Sequence, residues 1–536
     1  MTLFLTRLML SLVFLSAPYF SMEFWLSGRY GALAAVNYGL ITLASLVVVA
    51  LVAGTCRRFF LLHTLIFAAT LVFLGYVMTC NDLPGYPIAL VLETASWEEV
   101  RGFFGSWQEQ RLLVALVIAT AAYIAVGLVV VPNGQLRPYR RSGRRIVIGA
   151  LGLLAYNITL GGDEFMRGAA ATPIIGTALF LAGPIASANA AVNGVNLRKR
   201  PFGATRDGGT EVHILIVGES SRRNSWSVYG YPRPTTPFMQ AIKDEAVFLD
   251  NVKSDANVTV YAVPILLTGM DPESFSPKAL RGNLVDLARE AGYYTVWLAN
   301  QDASISYLVG MAADTSAYSI TVSKPSYVIY PPDGVLLAKL AAQLRRGDSS
   351  MFIGLHVFGS HSPYSNRYPQ SFARFDDDIA SAGKNSTVGL TSDRDSLNSY
   401  DDSILYTDWF IHQVIEQVRL LSIPVTVTYV SDHGEEIQAL DGRTGHGLGS
   451  YSPRAFEIPA FVWMNGVYRR LHPDKEQAVA QNARKRIRSH DFFYTLADLM
   501  GIKWPEAIPQ RSFASPSFSP DLTSRFFAGG KLVEGD

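Results

Sequence analysis

The chain has 536 residues, of which 49% are hydrophobic and 17% charged, and its net charge is +1. It is longer than one ordinary domain and more apolar than a typical soluble protein, and its near-neutral balance excludes an overall electrostatic attraction to nucleic acid. Its two cysteines, Cys56 and Cys80, both lie at the ends of apolar runs, so the C-terminal part has neither a disulfide framework nor thiolate chemistry.

Apolar runs come first. Segments 5–26, 32–53, 59–78, 112–131 and 146–160 approach the roughly 20 residues that cross a bilayer as helix. Further spans follow the first run at once, so it reads as an uncleaved helix rather than a signal peptide. Arg57 and Arg58, and then Arg137, Arg140, Arg141, Arg144 and Arg145, place two loops in the cytoplasm, whereas segment 81–111 carries Asp82, Glu93, Glu98 and Glu99. Five spans then leave the C-terminal part outside. Segment 172–192 has two readings, a sixth span or a helix lying along the interface. Gly183 and Pro184, with Ala, Ser and Asn around them, favour the interface, and Arg198, Lys199 and Arg200 follow at headgroup level.

From Val212 the chain alternates apolar strands with helical stretches. "VHILIVGES", "YYTVWLAN", "MFIGLHVF", "VTVTYVSDHGEE" and "IPAFVWMN" each end in small or polar residues. The pattern predicts a mostly parallel sheet with helices on both faces, and in such sheets ligands gather at the carboxyl ends of the strands. Segment 376–402, rich in Asp, Ser and Asn, reads as a surface insertion or flexible loop before a helix. The expected organisation is a transmembrane helical bundle over 1–162, a bridging segment over 163–210 and an α/β catalytic domain over 211–536.

Several strand ends carry metal-binding chemistry. Glu219 follows "ILIVG", His356 and His361 flank "FIGLHVFGSH", Asp432 and His433 follow "VTVTYVS", and His446 lies in "GRTGHGLG". Carboxylate and imidazole together suit Zn²⁺, which lowers the pKa of a bound hydroxyl. Singly, a Glu at a strand end is usually a helix cap and a lone His a surface or core residue. Asp432 beside His433, with Gly434 removing side-chain bulk, points more strongly to a metal. "NVTVYAVPILLTG", 257–269, stays open on this evidence: a sequon at Asn257, an apolar core stretch, or the site of a nucleophilic Thr259.

"VGESSRRNSWSVYGYPRPTTPF" resembles the signature of bacterial phosphoethanolamine transferases of the alkaline phosphatase and sulfatase superfamily. "GSHSPYSNRYP", "YDDSILYTDWFI", "SDHGEE" and "GHGLG" follow in that family's order. The resemblance implies a sulfatase-like, alkaline phosphatase-type α/β domain outside the inner membrane, facing the periplasm, tethered by its spans and monomeric. It implies Glu219, Asp432 and His433 as zinc ligands, and Thr259, five residues before Pro264, as the nucleophile that also touches the zinc. His361 and His446 match histidines around the transferred group or a second metal; His356 matches a less certain position. Asn300 and Gln301, where the family often has a Lys nearby, read as headgroup contacts or as loop caps. The implied reaction moves phosphoethanolamine from phosphatidylethanolamine to lipopolysaccharide, core or lipid A, or to another glycan, through a covalent phosphothreonine. One of His361 or His446 protonates a leaving oxygen or binds the phosphoryl oxygens. A phosphoglycerol transferase acting on a periplasmic glycan and a sulfatase-fold phosphodiester hydrolase are the alternatives. Relatives acting on lipid A usually have cysteines flanking the nucleophile; Asp255 and Ile265 stand there, so packing alone is expected to hold Thr259 and the match moves toward core- or glycan-modifying branches.

Overall fold

The computed structural model describes residues 55, 57–61, 63–64, 114 and 117–125, and then 201–274, 282–301, 315–318, 331–347, 350–375, 393–441, 445–446, 451–523, 525–528 and 531–534. The chain divides into two compact units, Met1–Glu93 with Ser106–Val195, and Thr94–Gly105 with Asn196–Asp536. In the first, the Tyr123 ring stacks on Phe60 at 5.4 Å and its hydroxyl lies 2.7 Å from His63 Nδ1. No helix among the described residues is long and apolar enough to cross a membrane. Apart from those fragments, the expected spans, segment 172–192 and both cysteines lie outside the described residues.

The second unit is built on a seven-stranded sheet. In chain order its strands are β1 (Val212–Gly218), β2 (Ala246–Phe248), β3 (Tyr294–Ala299), β4 (Thr315–Tyr318), β5 (Met351–His356), β6 (Val425–Ser431) and β7 (Ala460–Met464). Their spatial order is β2-β7-β6-β1-β5-β3-β4. Strands β6, β1, β5, β3 and β4 pair in parallel; β7 runs antiparallel to both β6 and β2. The sheet is therefore mixed. The apolar run "IPAFVWMN" is a strand, as the sequence predicts, but its direction is reversed, because periodicity reports burial and not polarity along the sheet.

Central β1 is buried along its whole length, and its side chains alternate between two cores. Leu215 and Val217 face one core with helices α1 (Thr259–Thr268), α2 (Leu284–Glu290) and α5 (Asp491–Leu499). Val212, Ile214 and Ile216 face the other with α3 (Val335–Leu344) and α4 (Asp393–Val418). Each such aliphatic side chain contributes about 1.5–3 kcal/mol by leaving water. Burial on both faces is what makes these strands continuous apolar runs.

Helix α4 corrects the reading of 376–402. It is already under way at Asp393, and Asp401 and Asp402 sit on it fully buried. Asp401 pairs with Arg233 at 2.7 Å, and Asp402 accepts the amides of Arg374 and Phe375 at 2.8 and 3.1 Å. Residues 376–392 lie outside the described residues.

Candidate active site

Parallel pairing in register sets the carboxyl ends of β1 and β6 side by side, with Gly218 opposite Ser431. The next residues, Glu219 on one strand and Asp432 and His433 on the other, then share one pocket. All three are buried. Ser220 turns the chain sharply there with φ of 54°, a left-handed conformation that a non-glycine residue holds at a cost. Its Oγ donates to Glu219 Oε1 at 2.7 Å and its amide to Asp432 Oδ1 at 3.1 Å. Gly434 follows His433 where a Cβ would strike the Arg454 carbonyl, so the bulk-free position is a steric requirement.

Thr259 is the first residue of α1. Val258 is extended and the helix has no side-chain cap; the Tyr261 amide bonds back to the Val258 carbonyl at 3.1 Å, so the Thr259 and Val260 amides are the ones that lead the helix beside the threonine. Thr259 Oγ1 lies 3.1 Å from Glu219 Oε2 and 3.2 Å from His433 Nε2. His433 Nε2 is in turn 3.4 Å from Glu219 Oε1 and 3.4 Å from Asp432 Oδ2.

These spacings test the fit of a metal. Atoms bound to one tetrahedral Zn²⁺ at about 2.0–2.2 Å lie about 3.3–3.6 Å from each other, near the distances found here. The ring orientation agrees: His433 Nδ1 is 2.8 Å from the Gly434 carbonyl, so Nδ1 donates there and Nε2 is the nitrogen turned to the cluster. Asp432 Oδ1 is occupied by two amides, while Oδ2 is buried without a hydrogen bond and faces the cluster. Burial, and then the charge of Glu219, raise the Asp432 carboxyl to about 7. Burial also acts to raise Glu219, but the hydrogen bond and charge of His433 outweigh it and hold Glu219 below the usual carboxylate range. Burial acts to lower His433, yet the two carboxylates lift it to about 10. Two carboxylates thus contend for one imidazolium, a contest that a divalent cation resolves.

His446 and His361 stand at the mouth. The ring centroid of His446 is 4.3 Å from that of His433 and 5.3 Å from that of His361. His446 Nδ1 is 2.9 Å from Glu435 Oε2, and His361 Nδ1 is 2.7 Å from the Ser362 carbonyl, so both present Nε2 as the exchangeable nitrogen. Among the described residues, Glu219, His433 and His446 form one group able to hold a metal ion, with ligand atoms within 4.8 Å of one another.

Gln301 and Asn300 are both buried. Gln301 Nε2 donates to Glu219 Oε2 and to the Val357 carbonyl, each at 2.9 Å, and so orients a ligand carboxylate. Asn300 Nδ2 donates to the Pro331 carbonyl at 2.7 Å and to Asp333 Oδ1 at 2.8 Å. Asp333 then accepts the amides of Phe358 and Gly359, which presses Gly359 onto the Glu219 backbone. His356 is buried at the end of β5, edge-on to Trp297, outside the cluster.

The segment leading to Thr259 is held by more than packing. Asp255 is fully buried, accepts from Arg488 Nε at 2.8 Å and Ser489 Oγ at 2.7 Å, and lies 3.0 Å from His490 Nδ1. Strand β8 (Arg525–Ala528), in a hairpin with β9 (Lys531–Glu534), exchanges backbone bonds with Asp255 and Asn257 through Phe527 at 2.8 and 3.0 Å. A polar network occupies the place where the sequence led us to expect packing alone.

A mixed α/β sheet with a threonine and three metal-type ligands at its carboxyl ends defines an alkaline phosphatase/sulfatase-type domain. The chain belongs to the sulfatase family, whose sequence profile matches residues 212–502. It is 28% identical over 316 residues to phosphoethanolamine transferase CptA of Salmonella typhimurium, covering 57% of this chain and 53% of that protein. It is 26% identical over 323 residues to phosphoethanolamine transferase EptC of Escherichia coli O18:K1:H7, again covering 57% and 53%. The match thus spans about half the length of these relatives. Among solved structures, the periplasmic domain of EptC from Escherichia coli in complex with Zn superposes with a TM-score of 0.55 at 23% identity, covering 62% of this chain and 94% of that one. The integral membrane protein lipooligosaccharide phosphoethanolamine transferase A (EptA) from Neisseria meningitidis superposes with a TM-score of 0.65 at 22% identity, covering 85% and 86%.

Proposed function

We propose that the chain transfers phosphoethanolamine from phosphatidylethanolamine to lipopolysaccharide, on core sugar or lipid A, at the periplasmic face of the inner membrane. The carrying observation is the convergence of Thr259 Oγ1 on Glu219 and His433, at 3.1 and 3.2 Å, at the start of a helix. The names of the relatives supply the transferred group.

Thr259 attacks phosphorus as its alkoxide, its proton already lost to solvent, and the new O–P bond forms as the bond from phosphorus to the diacylglycerol oxygen breaks. The departing oxygen takes a proton from the His361–His446 pair at the mouth. An acceptor hydroxyl then attacks the phosphothreonine, gives up its proton to the same pair, and restores Thr259. The leading amides of α1 bind the phosphoryl oxygens through both steps. Glu219, Thr259, Asp432 and His433 would hold Zn²⁺, which when bound favours the threonine alkoxide and withdraws charge from phosphorus. Gln301 fixes Glu219, and Glu435 fixes the tautomer of His446.

Mass spectrometry of envelope lipids and glycans, from cells with the native chain and with Thr259→Ala, tests this reading. The native chain should add the mass of phosphoethanolamine to lipopolysaccharide and the variant should not. A phosphoglycerol increment would replace the donor, and an unchanged increment in the variant would remove Thr259 from its role.

A further inference from the structure

A second convergence of polar groups, centred on a buried histidine, brackets the helix that Thr259 begins. His490, fully buried just before α5, faces Asp255 through Nδ1 at 3.0 Å. Its Nε2 makes no hydrogen bond, and lies 3.5 Å from Asp491 Oδ1 and 3.8 Å from Asp521 Oδ2. Asp271, just beyond the far end of α1, completes the group: ligand atoms of Asp271, His490 and Asp521 all lie within 4.8 Å of one another.

The separation of His490 Nε2 from Asp521 Oδ2, 3.8 Å, is too long for a hydrogen bond and a little wider than the roughly 3.3–3.6 Å between atoms that share one zinc ion, so a small inward movement would bring the group onto a metal. The imidazole is oriented as at His433, with its Nδ1 proton held, here by a carboxylate, and its Nε2 turned to the gap. Charge agrees as well. Four carboxylates meet here, those of Asp255, Asp271, Asp491 and Asp521. Arg488 pairs with Asp255, and Arg511 with one oxygen of Asp271. Four carboxylates against two guanidiniums and His490 leave at least one negative charge in excess, in a group partly exposed at Asp271 and Asp521, which favours a cation.

We propose that Asp271, His490 and Asp521 bind a structural divalent transition-metal cation of the zinc or manganese type, separate from the catalytic centre. An imidazole nitrogen among the donors disfavours calcium and magnesium, which take oxygen. The ion ties the far end of α1 to the start of α5 and to the segment before β8. Through Asp255 it also reaches the entry to α1, four residues before Thr259.

The test is metal stoichiometry on the full-length protein in detergent, stripped, reloaded with Zn²⁺, gel-filtered and measured by plasma mass spectrometry. Asp432→Asn combined with His433→Gln takes away two catalytic ligands, one of them a member of the Glu219, His433 and His446 group, so this catalytic-site variant should retain one zinc per chain. Asp521→Ala, at a partly exposed residue chosen so that folding survives, should remove that ion from the catalytic-site variant, as should His490→Ala. The catalytic-site variant without zinc, or the combined variants with their zinc undiminished, would overturn the proposal. Neither result bears on which group Thr259 transfers, which the lipid measurement decides separately.

Discussion

Replacing Arg488 by methionine keeps most of the side-chain volume and removes the guanidinium that faces Asp255. The arginine is 1% exposed. Its Nε donates to Asp255 Oδ1 at 2.8 Å, and its terminal nitrogens donate to the Thr523 carbonyl at 2.6 Å and to that of Arg525. Breaking a buried ion pair on one side costs about 3–5 kcal/mol. Asp255 keeps Ser489 and the His490 amide, at 2.7 and 2.8 Å, which sets the ion-pair loss near the lower end. Two carbonyls that lose a donor add about 1 kcal/mol each, for a total of about 5 kcal/mol. At roughly 2 °C per kcal/mol for a domain of this size, the melting midpoint of the purified chain should fall by about 10 °C. Asp255→Asn in the same chain should restore much of the loss, because no buried charge then stands unpaired. A single variant melting within about 2 °C of the native chain would refute the idea that this ion pair anchors the segment before Thr259.

Other outcomes follow from the same geometry. Gln301→Ala removes the amide that orients Glu219, and zinc affinity, measured by competition with a chelator, should weaken about 10–100-fold. Gly434→Ala forces a methyl group against the Arg454 carbonyl; it should cost about 1–3 kcal/mol in a denaturant melt and shift His433, lowering zinc content with it. Asp408 accepts the Phe238 and Met239 amides at 2.8 and 2.9 Å, yet burial still raises its carboxyl from 3.8 to about 7. The folded chain therefore binds a proton there that the unfolded chain has released, so this group's contribution to stability falls as pH rises from about 4 to about 7. Asp408→Asn should flatten the stability profile over that range, and an unchanged slope would assign it to other groups.

Much of the site was legible because a parallel sheet puts its strand ends together. Five apolar runs ending in "GES", "SDHGEE" and similar residues placed Glu219, Asp432 and His433 before any coordinates, and β1 and β6 do lie side by side. The direction of β7 and the short strands β2 and β4 were not legible, since apolar content does not encode strand polarity and three or four residues carry little periodicity. Segment 376–402 misled for a different reason: its aspartates read as solvated, whereas Asp401 and Asp402 are buried on α4 against Arg233 and the backbone amides of Arg374 and Phe375. Nothing in "RIRSHDFF" marks Arg488 and His490 as the buried partners of Asp255. Pairings across more than two hundred residues leave no local signature. Ser220 gave none either, because its left-handed turn is imposed by the pocket it closes.

The central claim is that Thr259 carries the transferred group. The purified chain, incubated with phosphatidylethanolamine and no acceptor, quenched in acid and digested, should yield the peptide containing Thr259 with one added phosphoethanolamine, and the adduct should disappear when lipopolysaccharide is supplied. Diacylglycerol release with that peptide unmodified throughout, or an adduct on any other residue, would contradict the account.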